Sequence, residues 1–115
     1  MPKDWIATMA LEKLGDGEVA GIELTDHEGR IRKLALYNVA GDIHASDNLC
    51  THGNALLSDG WLDDCSIECP LHAGRFDIRT GKAEGPPVVV DLQCFETRVR
   101  DGIIEVKLDP PSAQP

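Results

Sequence analysis

An all-β domain is the fold class that this sequence predicts, on three observations. Short runs rich in Val, Ile, Thr and aromatic residues recur between turn signals. Few segments keep a helical period. The 115 residues suffice for one domain with one modest core, because a chain of this length buries roughly 65% of the surface its unfolded form exposes.

The runs place strands near Trp5–Ala10, Glu18–Leu24, Ile31–Tyr37 and Ile43–Ser46. Later strands fall near Ser66–Cys69, Arg75–Ile78, Phe95–Arg100 and Ile103–Leu108. Asp101-Gly102 is the clearest hairpin turn, since both residues tolerate positive φ. Glu28-Gly29, Ala40-Gly41 and Thr80-Gly81 read as further turns. Asn54–Leu57 suits one helical turn capped by Asn54. The ending Asp-Pro-Pro-Ser-Ala-Gln-Pro cannot continue a strand, so residues 109–115 are expected to be a flexible tail behind a single domain of residues 1–108.

Composition removes several function classes. Hydrophobic residues make up 42% and charged residues 27% of the chain, as in soluble globular proteins. No apolar run approaches the length of a membrane span. The start lacks a basic region followed by an apolar run, so the expected compartment is the cytoplasm. Eleven Lys and Arg against 20 Asp and Glu give a net charge of −9. Nucleic acids and anionic membranes are polyanions, so neither is expected as a partner. A basic protein partner fits this charge better.

The middle of the chain differs from its flanks. Between positions 42 and 68 stand Asp42, Asp47, Asp59, Asp63, Asp64 and Glu68, with no Lys or Arg. Residues from about 47 to 87 read as a subdomain inserted into the β scaffold. The same stretch carries the chemistry: Cys50-Thr51-His52, sixteen residues, then Cys69-Pro70-Leu71-His72. Each half supplies one thiolate and one imidazole from a tight loop. A single Zn²⁺ accepts a Cys2His2 set, yet zinc knuckles usually keep the two Cys together and the two His together. A two-iron, two-sulfide centre with mixed ligands explains the mixing better, since each loop must then reach both metals. Cys50 and Cys69 would hold one iron, and His52 and His72 the other.

The stretches Asp-Asn-Leu-Cys-Thr-His-Gly from Asp47 and Glu-Cys-Pro-Leu-His-Ala-Gly-Arg-Phe-Asp from Glu68 resemble Rieske-type ferredoxins. In particular, they are similar to the ferredoxin components of bacterial aromatic ring-hydroxylating dioxygenases, such as the naphthalene and biphenyl systems. The resemblance runs from Trp5 to about Leu108. It implies a Rieske fold of three stacked antiparallel sheets, with one 2Fe-2S cluster at the tip of the small subdomain. It also implies a one-electron carrier, not an enzyme, that serves an NAD(P)H-dependent flavoprotein reductase and a terminal oxygenase. A monomer suits such a shuttle. Respiratory members of the wider family carry an extra Cys in each cluster loop and a Ser near the second His. Ala55, Leu71 and Gly74 stand at those positions here, which implies no loop disulfide, one fewer hydrogen bond to a sulfide, and a potential at the low end of the Rieske range.

Three other readings compete. A catalytic Rieske oxygenase needs a mononuclear iron on two His and a carboxylate, and only His27 and His44 remain outside the cluster set. The small subunit of a nitrite reductase has the same fold, and many of these lack the ligands. A zinc-stabilised module is the third alternative.

The remaining expectations concern single residues. Gly53 and Gly74 give the backbone close approach to the cluster. Pro70 stiffens its loop. Pro86 and Pro87 either cover the cluster or link subdomain to scaffold. Cys65 and Cys94 are small buried hydrophobes. His27 is solvated, and His44 is a packed or surface residue. Trp5 belongs to the core. Trp61 lies within the acidic run and could mark an exposed docking edge.

Overall fold

The computed structural model describes residues 5–26, 28–50, 55–70, 74–84 and 90–108. Nine antiparallel strands stand among them. These are β1 (Trp5–Ala10), β2 (Val19–Thr25), β3 (Ile31–Val39), β4 (Asp42–Asp47), β5 (Trp61–Asp63), β6 (Ser66–Glu68), β7 (Arg75–Asp77), β8 (Cys94–Arg100) and β9 (Ile103–Lys107). Six form one sheet in the order β1-β9-β8-β4-β3-β2, and three form a second in the order β5-β6-β7.

The expected three sheets are thus two by hydrogen bonding and three by layer. β4 meets β8 over only two pairs, Ala45 with Phe95 and Ser46 with Cys94. Beyond them the strands part, and the Thr97 hydroxyl donates to the Ile43 carbonyl at 2.7 Å. This short ladder lets the large sheet fold across itself. Ile104 and Val106 of β9 and Phe95 of β8 then pack on Leu34 and Leu36 of β3 and Ala45 of β4.

β3 shows how sequence makes the layers. Its side chains alternate faces with a period of two. Leu34 and Leu36 enter the first core, whereas Ala35 and Tyr37 enter a second with Leu57, Ile67, Phe76, Ile78 and Leu92. All four β3 residues are fully buried. A strand buried on both faces reads as a continuous apolar run, as Leu34-Ala-Leu-Tyr37 does. The second core joins the large sheet to the small one.

All eight expected strands are present, seven of them with an end shifted by one or two residues. β5 is an addition: three residues are too short to show alternation. It turns into β6 through Asp64, whose φ of 57° suits a residue that tolerates the left-handed region. The expected helical turn starts later than Asn54, as a 3-10 turn over Leu57–Asp59. Leu56 is extended and bridges back to Leu49. Asn54 itself, with His27 and 109–115, lies outside the described residues. Asp101 and Gly102 take φ of 55° and 79°, as a two-residue hairpin turn requires.

Candidate metal centre

Two hairpins of matching closure present Cys50 and Cys69. In the first, Leu49 bridges Leu56, and the Cys50 amide donates to the Ala55 carbonyl at 2.9 Å. In the second, Glu68 pairs with Arg75, and the Cys69 amide donates to the Gly74 carbonyl at 2.7 Å. Each bond joins a Cys amide to a carbonyl five positions on. The intervening residues include His52 and His72, which lie outside the described residues together with Gly53 and Leu71.

Both thiols face one apolar core. Cys50 is 3% and Cys69 1% exposed, and both belong to the cluster that contains Tyr37, Leu57, Ile67 and Phe76. This brings together the two Cys of the sequence-predicted set. Gly74 is buried and contributes its carbonyl to the second closure, which adds a scaffold role to the expected close approach. Pro86 and Pro87 fall outside the described residues. Among the described residues no three His, Cys, Asp or Glu side chains gather as a metal site. The donor set fits a shared iron-sulfur group in one respect that the structure itself displays: two buried thiols lead two equivalent hairpins into a common core.

The rim is mixed in sign and partly apolar. Arg75 lies 3.2 Å from Asp63 and 3.9 Å from Glu68, so part of the acidic run is paired. Arg32 lies 3.6 Å from Asp47. Burial pushes the Asp47 carboxyl up, against the pull of that guanidinium. Leu49 and Trp61 are exposed apolar side chains, at 52% and 60%. Trp61 pairs with Glu68, the residue before Cys69, so the exposed edge expected there is present.

The other singled-out residues fall elsewhere. Cys65 is half-buried and packs against the second core. Cys94 is half-buried too, and its thiol donates to the Ile78 carbonyl at 3.5 Å. His44 stands on β4 opposite Tyr37 and lines a cleft with Cys94 and Thr97. Trp5 is only half-buried: the Arg98 guanidinium lies 4.3 Å from its ring centroid, so it is a cation–π platform and not a core residue. Asn48, which sequence reasoning passed over, is buried at 3% beside the first hairpin. Its polar character gave no sign of burial, and only its place two residues before Cys50 pointed to it.

With the fold and the paired thiols in view, the class is defined. Residues 4–96 match the Rieske [2Fe-2S] domain model, and the chain belongs to that family. Its cofactor is a Rieske-type [2Fe-2S] cluster, which takes two Cys and two His ligands. The ferredoxin component of the naphthalene 1,2-dioxygenase system of Pseudomonas putida is 46% identical over 101 residues, covering 88% of this chain and 92% of that one. The Sphingomonas yanoikuyae B1 ferredoxin superposes with a TM-score of 0.80 at 36% identity, covering 90% of this chain and 97% of its own. A structure described as a complex of reduced oxygenase and oxidized ferredoxin in carbazole 1,9a-dioxygenase also matches, with a TM-score of 0.80 and 34% identity over 92% and 94% of the two chains. This chain is likewise an electron-transfer component and not a catalytic enzyme.

Proposed function

We propose that the protein carries single electrons from an NAD(P)H-dependent flavoprotein reductase to the Rieske cluster of a terminal aromatic-ring dioxygenase. Cys50 and Cys69 bind one iron and His52 and His72 the other. Residues from about 47 to 87 form the cluster-binding part of a single domain of residues 1–108. The carrier acts as a cytoplasmic monomer. In agreement with this, no helix among the described residues is long and apolar enough to cross a membrane.

One observation carries the reading: the equivalent closures at Cys50 and Cys69, which lead two buried thiols into one core. The cluster, when bound, accepts and releases one electron with no bond made or broken in a substrate. The chain's own residues do the rest. Leu57, Ile67 and Phe76 keep water from the inner side of the thiolates. The exposed rim of Leu49 and Trp61 beside the hairpins offers a partner a short approach. The similarity to dioxygenase ferredoxins supports the oxygenase as acceptor, over the nitrite-reductase reading.

Iron and sulfide assays with EPR after dithionite reduction test the ligand set. Two irons and two sulfides per chain are expected, with a rhombic signal of low average g. Cys50→Ser and Cys69→Ser should lose that signal, while Cys65→Ser and Cys94→Ser keep it. A silent spectrum with one zinc per chain would overturn the reading.

A further inference from the structure

The 3-10 turn Leu57–Asp59 touches the base of both ligand hairpins, and Asn48 holds it in place. Asn48 precedes Cys50 by two residues and is 3% exposed. Its backbone is tied on both sides: its amide donates to the Lys33 carbonyl at 2.9 Å, and its carbonyl accepts from the Leu57 amide at 2.7 Å. Its side chain grips the next residue twice. Oδ1 accepts from the Ser58 amide at 2.8 Å, and Nδ2 donates to Ser58 Oγ at 2.9 Å. The orientation of the side-chain amide is fixed by chemistry, because a backbone N–H requires an acceptor opposite it.

The far end of the turn leans on the second hairpin. The Gly60 amide closes the turn on the Leu57 carbonyl at 2.9 Å. A Cβ on Gly60 would lie 1.9 Å from the carbonyl oxygen of Glu68, the residue before Cys69. The backbones therefore touch at a point where no side chain fits. Leu57, fully buried in the core that holds both thiols, fills the space between. Gly21 leaves equal room on the other side: a Cβ there would come within 2.6 Å of Ser58 Oγ and 2.8 Å of Asn48 Nδ2.

We infer that Asn48 is a positioning residue for electron transfer, which clamps the Leu57–Asp59 turn so that it sets the separation of the Cys50 and Cys69 hairpins. The inference rests on the ligand assignment proposed above. Without the Asn48 side chain, the Ser58 amide is left in a part-buried site without its acceptor, and the turn is held to the first hairpin by the Leu57 amide–Asn48 carbonyl bond alone.

The test compares holoprotein variants. Asn38 supplies a control: it is 7% exposed, and its side chain also makes two hydrogen bonds, to the Leu14 carbonyl at 2.8 Å and from the Gly41 amide at 2.9 Å, at the far end of β3 from Lys33. Asn48→Ala should lose iron to a ferrous chelator roughly tenfold faster than wild type, with shifted and broadened g values and a displaced midpoint potential. Asn38→Ala should lower thermal stability while leaving g values, potential and iron loss as in wild type. If Asn48→Ala matches Asn38→Ala in g values and potential, the inference falls. If Asn48→Ala yields no folded protein, Ser58→Ala replaces it. That variant removes only the Nδ2 contact, so a roughly threefold faster iron loss with a smaller shift in g is expected, and wild-type behaviour overturns the inference. A failure of the ligand assignment shows earlier and separately, as a wild-type protein without the low-g rhombic signal.

Discussion

Cys94 is a packing thiol, in contrast to the ligand role proposed for Cys50. The Cys94 thiol sits against the Ile78 carbonyl, and burial pushes its pKa up from 9.0 to about 11, with the charges of Asp77 and Asp47 adding to the rise. It stays protonated at neutral pH, which disfavours nucleophilic attack and metal binding. The folded state holds this proton more tightly than the unfolded chain does. Its contribution to stability is therefore complete below about pH 9 and is lost as the pH climbs towards 11. Wild type should lose more stability than Cys94→Ala over that interval in urea titrations at stepped pH. Equal losses would show that the thiol does not titrate as its burial demands. The packing role of Cys94 was legible in the sequence, because no His stands within a few positions of it. The partial exposure of Trp5 was not, since its cation partner Arg98 lies 93 residues away in the chain.

Turns decide how well the elements fit. Ala40 and Gly41 join β3 to β4, and Ala40 takes a φ of 54°. That left-handed conformation is unfavourable for a residue with a Cβ. The site tolerates it because the Ala40 amide donates to Asp16 Oδ1 at 2.7 Å and the Gly41 amide to Asn38 Oδ1 at 2.9 Å. Ala40 is exposed, so its methyl packs against little. Ala40→Gly should stabilise the protein by about 1 kcal/mol, which raises Tm by roughly 4 °C at this size. A lower Tm in thermal denaturation would contradict the strain argument. The strand pattern was legible wherever a run spanned five or more residues. It failed at β5, where Trp61-Leu62-Asp63 offers one alternation only, and at Leu57–Asp59, where a tertiary clamp and not a local cap places the turn.

At the scale of the whole molecule, the three layers leave the Cys50 and Cys69 hairpins on one core, in a chain whose net charge is −9. The spacing of the proposed ligands pointed to this part of the chain, while the contacts that hold the two hairpins together, such as that between Gly60 and Glu68, join distant residues and were hidden. If acidic groups steer a basic partner, electron transfer to the proposed oxygenase should slow by tenfold or more between about 0.01 M and 0.5 M salt. Asp63→Asn with Asp64→Asn should lower the low-salt rate severalfold and flatten that dependence. Asn tolerates the left-handed φ at position 64, so the turn survives the change. A stopped-flow rate unaffected by both salt and substitution would reduce the acidic run to a solvated surface.

Trp61 gives this architecture an optical consequence. The chain has two tryptophans: Trp5, on β1, lies beneath a guanidinium, and Trp61 is 60% exposed on the strand beside the Cys69 hairpin. Water-exposed indole emits at longer wavelength than shielded indole, so the two contributions separate by colour. A partner that covers the hairpins dries Trp61 and leaves Trp5 as it was. The red edge of the intrinsic fluorescence thus reports docking without any attached dye.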